Sequence, residues 1–275
     1  MFRATFMTLR IDVTSKPRGS NPGGNCRILY NGWFDGYFKY CFGSRIQGAS
    51  SFIARHQPIY EAITFQLVRA LGLSTSEFFV ALNPQRDIFF NGWRTYLNHD
   101  PSGREYYFVS KIFKSFHPTL SESESRAIVS FERAYLDAIM VGDIVGKPNN
   151  YVTFGTKQEH DIVYLDLGCS FVHSVGGLLS LPHQSHINSE KVFKQTMRRL
   201  DSRAILIGGQ DSVNLAELVN GLPSLPIPTL NPLGESRVDS LIGGDEIREI
   251  RYLLASGLES SLSSLKDKGL LTKAQ

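Results

Sequence analysis

What this sequence lacks narrows it first. It has no run of about 18 apolar residues, which argues against a membrane-spanning helix. Apolar Phe2, Phe6 and Met7 near the start are interrupted by Arg3 and Arg10, so no secretory leader is expected. Cysteine is scarce: Cys26, Cys41 and Cys169 are an odd set without metal spacing, each in an apolar or strand-like context. Reduced, buried thiols in a cytoplasmic protein are the expectation. Basic residues are scattered, with Arg198-Arg199 the only adjacent pair and a net charge of +3, so no nucleic-acid footprint is visible. No internal repeat is apparent. His173, His183 and His186 share a loop-like stretch, but their spacing fits no common zinc pattern.

What remains is an ordinary globular composition. The 275 residues are 42% hydrophobic and 20% charged, enough for one large domain or two lobes sharing a cleft. Thr5–Thr14 alternates as a strand does, and Ser15–Asn25 is a turn-rich loop. Strands are predicted at Cys26–Tyr30 and Gly36–Phe42, the latter carrying Lys39. Glycines in the loop permit close backbone approach to a phosphate, and Lys39 could reach one as a point charge. A solvated hairpin lysine is the plainer alternative.

The clearest helix spans 58–73: Pro58 suits its first turn, Gly72 its stop, and Ile59, Ile63, Leu67, Ala70 and Leu71 recur at helical spacing. Glu61 lies one turn in, where it could pair with Lys39 or simply complement the positive helix N-terminus. Phe78–Leu82 and Glu105–Phe113 read as strands, the second leading towards a hinge. Ser121–Val141 reads as a long helix opened by a capping box of Ser121 and Glu124. Helical patterns recur over 189–220, a Pro-rich connector occupies 221–236, and 237–268 looks like a final helical pair.

The chemistry concentrates between 136 and 173. A polar loop holds Asp143, Asn149 and Asn150, an apolar strand covers Tyr151–Phe154, and a second strand, Ile162–Leu165, runs into Asp166-Leu167-Gly168. A carboxylate before one strand, an amide at its start and a carboxylate after the next is the arrangement a phosphotransferase uses. The first can orient an attacking hydroxyl; the other two can hold magnesium, which prefers oxygen ligands. Asp and Asn are also common in plain turns.

Four stretches in order give the chain a resemblance to the HipA-like kinases, a compact bacterial branch of the protein-kinase-like fold. RGSNP (18–22) followed by DGYFKY (35–40) resembles the family's glycine loop and lysine strand; EAITFQLVRALGLS (61–74) resembles its glutamate helix. LDAIMVGDIVGKPNNYV (136–152) and YLDLGCSFVH (164–173) resemble its catalytic and metal-binding loops. The resemblance implies an α+β, two-lobed fold with a small β-rich N-lobe over 1–115 and a mostly helical C-lobe over 116–275. It implies ATP and Mg²⁺ as cofactors, a cytoplasmic serine/threonine kinase activity, and a protein substrate. By residue, it implies phosphate binding by Gly19, Ser20, Asn21 and Lys39, with Glu61 holding Lys39. Asp143 would orient the attacking hydroxyl, and Asn150 and Asp166 would bind magnesium.

The chain departs from the family at Gly142, at Ile144 in place of an arginine, and at Asn149-Asn150 in place of an Asn-Pro-Asn order. A silent pseudokinase that binds nucleotide or a partner is therefore the alternative. The amino-terminal subdomain of the longer HipA toxins has no evident counterpart here.

Overall fold

A computed structural model describes residues 10–15, 23–29, 33–40, 56–82, 88–90, 106–112, 120–121, 123–124, 150–155, 160–168, 170–171, 190–205, 212–230 and 234–267. Gly19, Ser20, Asn21, Cys41, Asp143, Asn149, Cys169 and the three histidines of the 173–186 stretch lie outside these residues. The chain opens with β1 (Arg10–Ser15), β2 (Gly23–Leu29) and β3 (Trp33–Lys39), followed by helix α1 (Gln57–Ala70). Next come β4 (Ser74–Thr75), β5 (Phe78–Leu82), β6 (Ile88–Phe90) and β7 (Tyr106–Lys111), then the hairpin of β8 (Tyr151–Gly155) and β9 (His160–Tyr164). The remainder is α2 (Glu190–Leu200), β10 (Ala204–Ile205), β11 (Val213–Asn214), α3 (Leu215–Gly221), β12 (Pro226–Thr229), β13 (Gly234–Arg237), α4 (Val238–Leu241) and α5 (Gly244–Asp267).

The main sheet has eight strands in the order β13-β12-β5-β7-β3-β2-β1-β6. From β1 to β5 every neighbour is antiparallel. Strand β7 is central and buried on both faces, as its uninterrupted apolar run Tyr106–Val109 requires. Alternation then sorts its side chains: Tyr106 and Phe108 join the core that contains α1, while Tyr107 and Val109 join the opposite core with Ile11, Ile28 and Phe38. The same alternation in β3 sends Phe38 away from α1. Lys39, the next residue and the register partner of Phe108, therefore lies on the α1 side.

Helix α1 is almost wholly buried. Phe65 meets Phe78 and Phe108 with ring centroids 5.0 and 4.9 Å apart, which fixes the helix across β5 and β7. Its C-terminus is a Schellman motif: Gly72 N–H reaches Arg69 O, Leu73 N–H reaches Val68 O, and Gly72 sits at φ 79°, a conformation glycine adopts without penalty. The capping box also forms, with Glu124 N–H donating to Ser121 Oγ and Ser121 N–H to Glu124 Oε2. Residues 125–141 of the helix expected to follow lie outside the described set.

One expectation is overturned. The Pro-rich stretch read as a connector forms β12, which pairs with β13 and runs parallel to β5 through Thr229 and Val80. Proline is tolerated because the pairing to β5 begins only beyond Pro226 and Pro228. Residues 189–220 are likewise not purely helical, since β10 and β11 pair within them. No described helix is long and apolar enough to cross a membrane.

Candidate active site

The order of β1, β2 and β3 with the buried helix α1 brings Lys39 and Glu61 face to face. Lys39 Nζ donates to Glu61 Oε1 at 2.6 Å and to Asp166 Oδ1 at 2.7 Å. The helix N-terminus takes no acidic residue in its first turn; the Glu61 carboxylate faces the lysine instead. Both Lys39 and Glu61 are buried, whereas the side chain of Asp166 is 39% exposed, so the pair opens to solvent on the aspartate side.

Burial alone would push the Lys39 amine down, but the Glu61 and Asp166 carboxylates override it and hold the amine above its ordinary value. Burial raises Glu61, opposed by the nearby ammonium and reinforced by Asp166. Burial also raises the Tyr37 hydroxyl, whose ring lies 5.9 Å from the Lys39 amine.

Asp166 is positioned by the turn that follows β9. Gly168 N–H donates to Asp166 Oδ1 at 3.3 Å, closing the Asp-Leu-Gly turn on its own carboxylate. A Cβ at Gly168 would stand 2.8 Å from Glu61 Oε2, so any larger residue there has to displace that carboxylate. Asn150 enters from the neighbouring strand, its carbonyl accepting from Leu165 N–H at 2.7 Å and Asp166 N–H at 3.3 Å. Asn150 is buried, beside the start of the aspartate turn. Phe171, just beyond, is the one described non-glycine residue in the left-handed region, at φ 51°, and is fully buried. Ser170 Oγ donates to Leu167 O and closes the same turn.

A cleft of about 230 Å³ opens beside the lysine, lined by Tyr37, Lys39, Ser76, Ser110, Lys111, Ile112, Leu165 and Asp166. It runs from the ion pair to the end of β7. Ser76 is 3% exposed, and its hydroxyl has no hydrogen-bond partner among the described residues, so it can serve a polar ligand. Among the described residues no group of three or more His, Cys, Asp and Glu could hold a metal. A magnesium site of one carboxylate, one amide, water and phosphate oxygens needs no such group. Asp166 and Asn150 supply oxygen donors of that kind.

Of the residues singled out in the sequence, Lys39, Glu61, Asn150 and Asp166 are brought together. Gly23 is the register partner of Lys39; Gly19, Ser20 and Asn21 lie outside the described residues. No local pattern points to Gln57, whose side-chain amide donates to Gly168 O at 3.1 Å, or to Ser76.

The architecture is α+β and kinase-like: a mostly antiparallel sheet bearing a lysine, a buried helix bearing its glutamate, and an aspartate turn closing on both. No protein-family model matches the chain, and no curated protein sequence matches it. Solved structures do. Hydra Fam20 with sugar aligns with a TM-score of 0.46 at 11% identity, covering 96% of this chain and 88% of that one. The Helicobacter pylori proinflammatory kinase CtkA aligns with a TM-score of 0.42 at 12% identity, covering 95% and 94%. The Golgi casein kinase aligns with a TM-score of 0.45 at 12% identity, covering 96% and 75%.

Proposed function

We propose that this chain is an ATP- and magnesium-dependent phosphotransferase, a HipA-like serine/threonine protein kinase acting in the cytoplasm. The observation that carries the reading is the Lys39 amine held between Glu61 and Asp166 at the end of a cleft. A buried ammonium with a fixed head is suited to the oxygens of a nucleotide phosphate, and an adjacent partly exposed carboxylate to the metal that accompanies them. The unpartnered Ser76 hydroxyl and the polar end of β7 suit the rest of the nucleotide.

In this reading Lys39 binds the phosphates and Glu61 keeps its amine aimed. Asn150 and Asp166 would hold magnesium, which neutralises developing phosphate charge when bound. Gly19, Ser20 and Asn21 would contribute backbone N–H groups to the phosphates. Asp143 takes the proton of the acceptor hydroxyl as its oxygen bonds the γ-phosphorus and the bond to the bridging oxygen breaks, releasing ADP. The protein then contributes positioning and electrostatic stabilisation.

The test is incubation with γ-labelled ATP and Mg²⁺, with Asp166→Ala alongside and the label mapped by mass spectrometry. Label on Ser or Thr in the unmutated protein or an added protein acceptor, absent from Asp166→Ala, is the expected result. Nucleotide binding without transfer would instead make the chain a pseudokinase, which the departures at Gly142 and Ile144 would explain.

A further inference from the structure

Glu246, near the start of α5, is separated from His56 by 190 residues yet meets it in the interior. Its carboxyl accepts from His56 Nδ1 at 2.8 Å and from the Tyr60 hydroxyl, and its second oxygen accepts from Gly243 N–H at 3.3 Å. His56, the N-cap of α1, and Tyr60 are four residues apart and so share one helix face. Glu61 follows Tyr60 and turns about 100° away, towards Lys39. One buried carboxyl thus grips the turn of α1 that presents Glu61 to Lys39.

The same C-terminal stretch touches α1 at its other end, where Gln66 Nε2 donates to Pro226 O at 2.6 Å. Glu246 and Glu249 are each 8% exposed, and burial followed by proximity to Glu246 raises Glu249. Apolar side chains would fill this volume with less desolvation cost, so carboxyl groups here are better explained by orientation than by stability.

We propose that residues 226–267 clamp α1 from within the chain, with Glu246 the positioning residue that keeps Glu61 against Lys39. Its effect on rate rests on the phosphotransfer reading; its effect on geometry does not. The experiment follows acetylation of Lys39 and alkylation of Cys26 by peptide mass spectrometry in the full chain without nucleotide, comparing wild type, Glu246→Ala and Tyr60→Phe. Cys26 is buried in the opposite core and reports global opening.

The clamp predicts Lys39 modified about fivefold faster or more in Glu246→Ala and to a lesser degree in Tyr60→Phe, with Cys26 unchanged. Lys39 protection equal to wild type in both variants, or Lys39 and Cys26 rising together in both, would overturn it. In the transfer assay Glu246→Ala should lower kcat about tenfold with little change in KM for ATP, and Glu246→Gln, which keeps an acceptor oxygen, should restore most of it. Wild-type protein that transfers nothing sinks the phosphotransfer reading, while the labelling arm still decides the clamp.

Discussion

At the scale of the residue, the pull on Lys39 has two opposed parts. Lys39 is 6% exposed, and burial favours the neutral form of its amine, yet two carboxylates within hydrogen-bond distance keep it charged. The folded pKa therefore lies above the ordinary 10.5, so the stabilisation is fully present below pH 10.5 and is lost as pH rises through the folded value. Above pH 10.5 the melting temperature of the wild type should fall more steeply than that of Lys39→Met; parallel curves would contradict the pairing. Gly168→Ala should cost about 1–3 kcal/mol in chemical unfolding, because the new methyl meets the Glu61 carboxylate. Cys26, whose thiol is pushed up to about 12 by burial and then by Asp35, should resist alkylation while the chain is folded.

At the scale of the element, much was legible in the sequence and for identifiable reasons. Helix α1 carried Pro58 and Gly72 at its ends with apolar residues at helical spacing between, and it forms over Gln57–Ala70. The box of Ser121 and Glu124 was readable because both partners lie within one turn; Ser121→Ala should lower stability by about 1 kcal/mol in thermal unfolding. Lys39, Glu61 and Asp166 could be brought together in advance only through the order of the strand, helix and aspartate turn around them. Strand β12 was hidden because Pro226 and Pro228 speak locally for a connector, while its pairing to β5 is decided by tertiary contact. Glu246 was hidden for a similar reason: no local pattern links it to His56, 190 residues away.

At the scale of the whole molecule, the two ends of the chain are not independent. Strands β12 and β13 complete the sheet that bears Lys39, while α5 packs against α2 and α3 and holds α1 through Glu246. Urea unfolding followed by fluorescence and circular dichroism should accordingly show one coincident transition; two separated transitions would contradict this coupling. Binding of a magnesium nucleotide in the cleft lined by Lys39 and Asp166 can be tested without knowing the acceptor. Calorimetric titration of ATP with and without Mg²⁺, in wild type and Asp166→Asn, is the most direct measurement. Saturable one-to-one binding that weakens about tenfold or more on removing either Mg²⁺ or the Asp166 carboxylate is predicted. Binding indifferent to both, or none at all, would contradict the account.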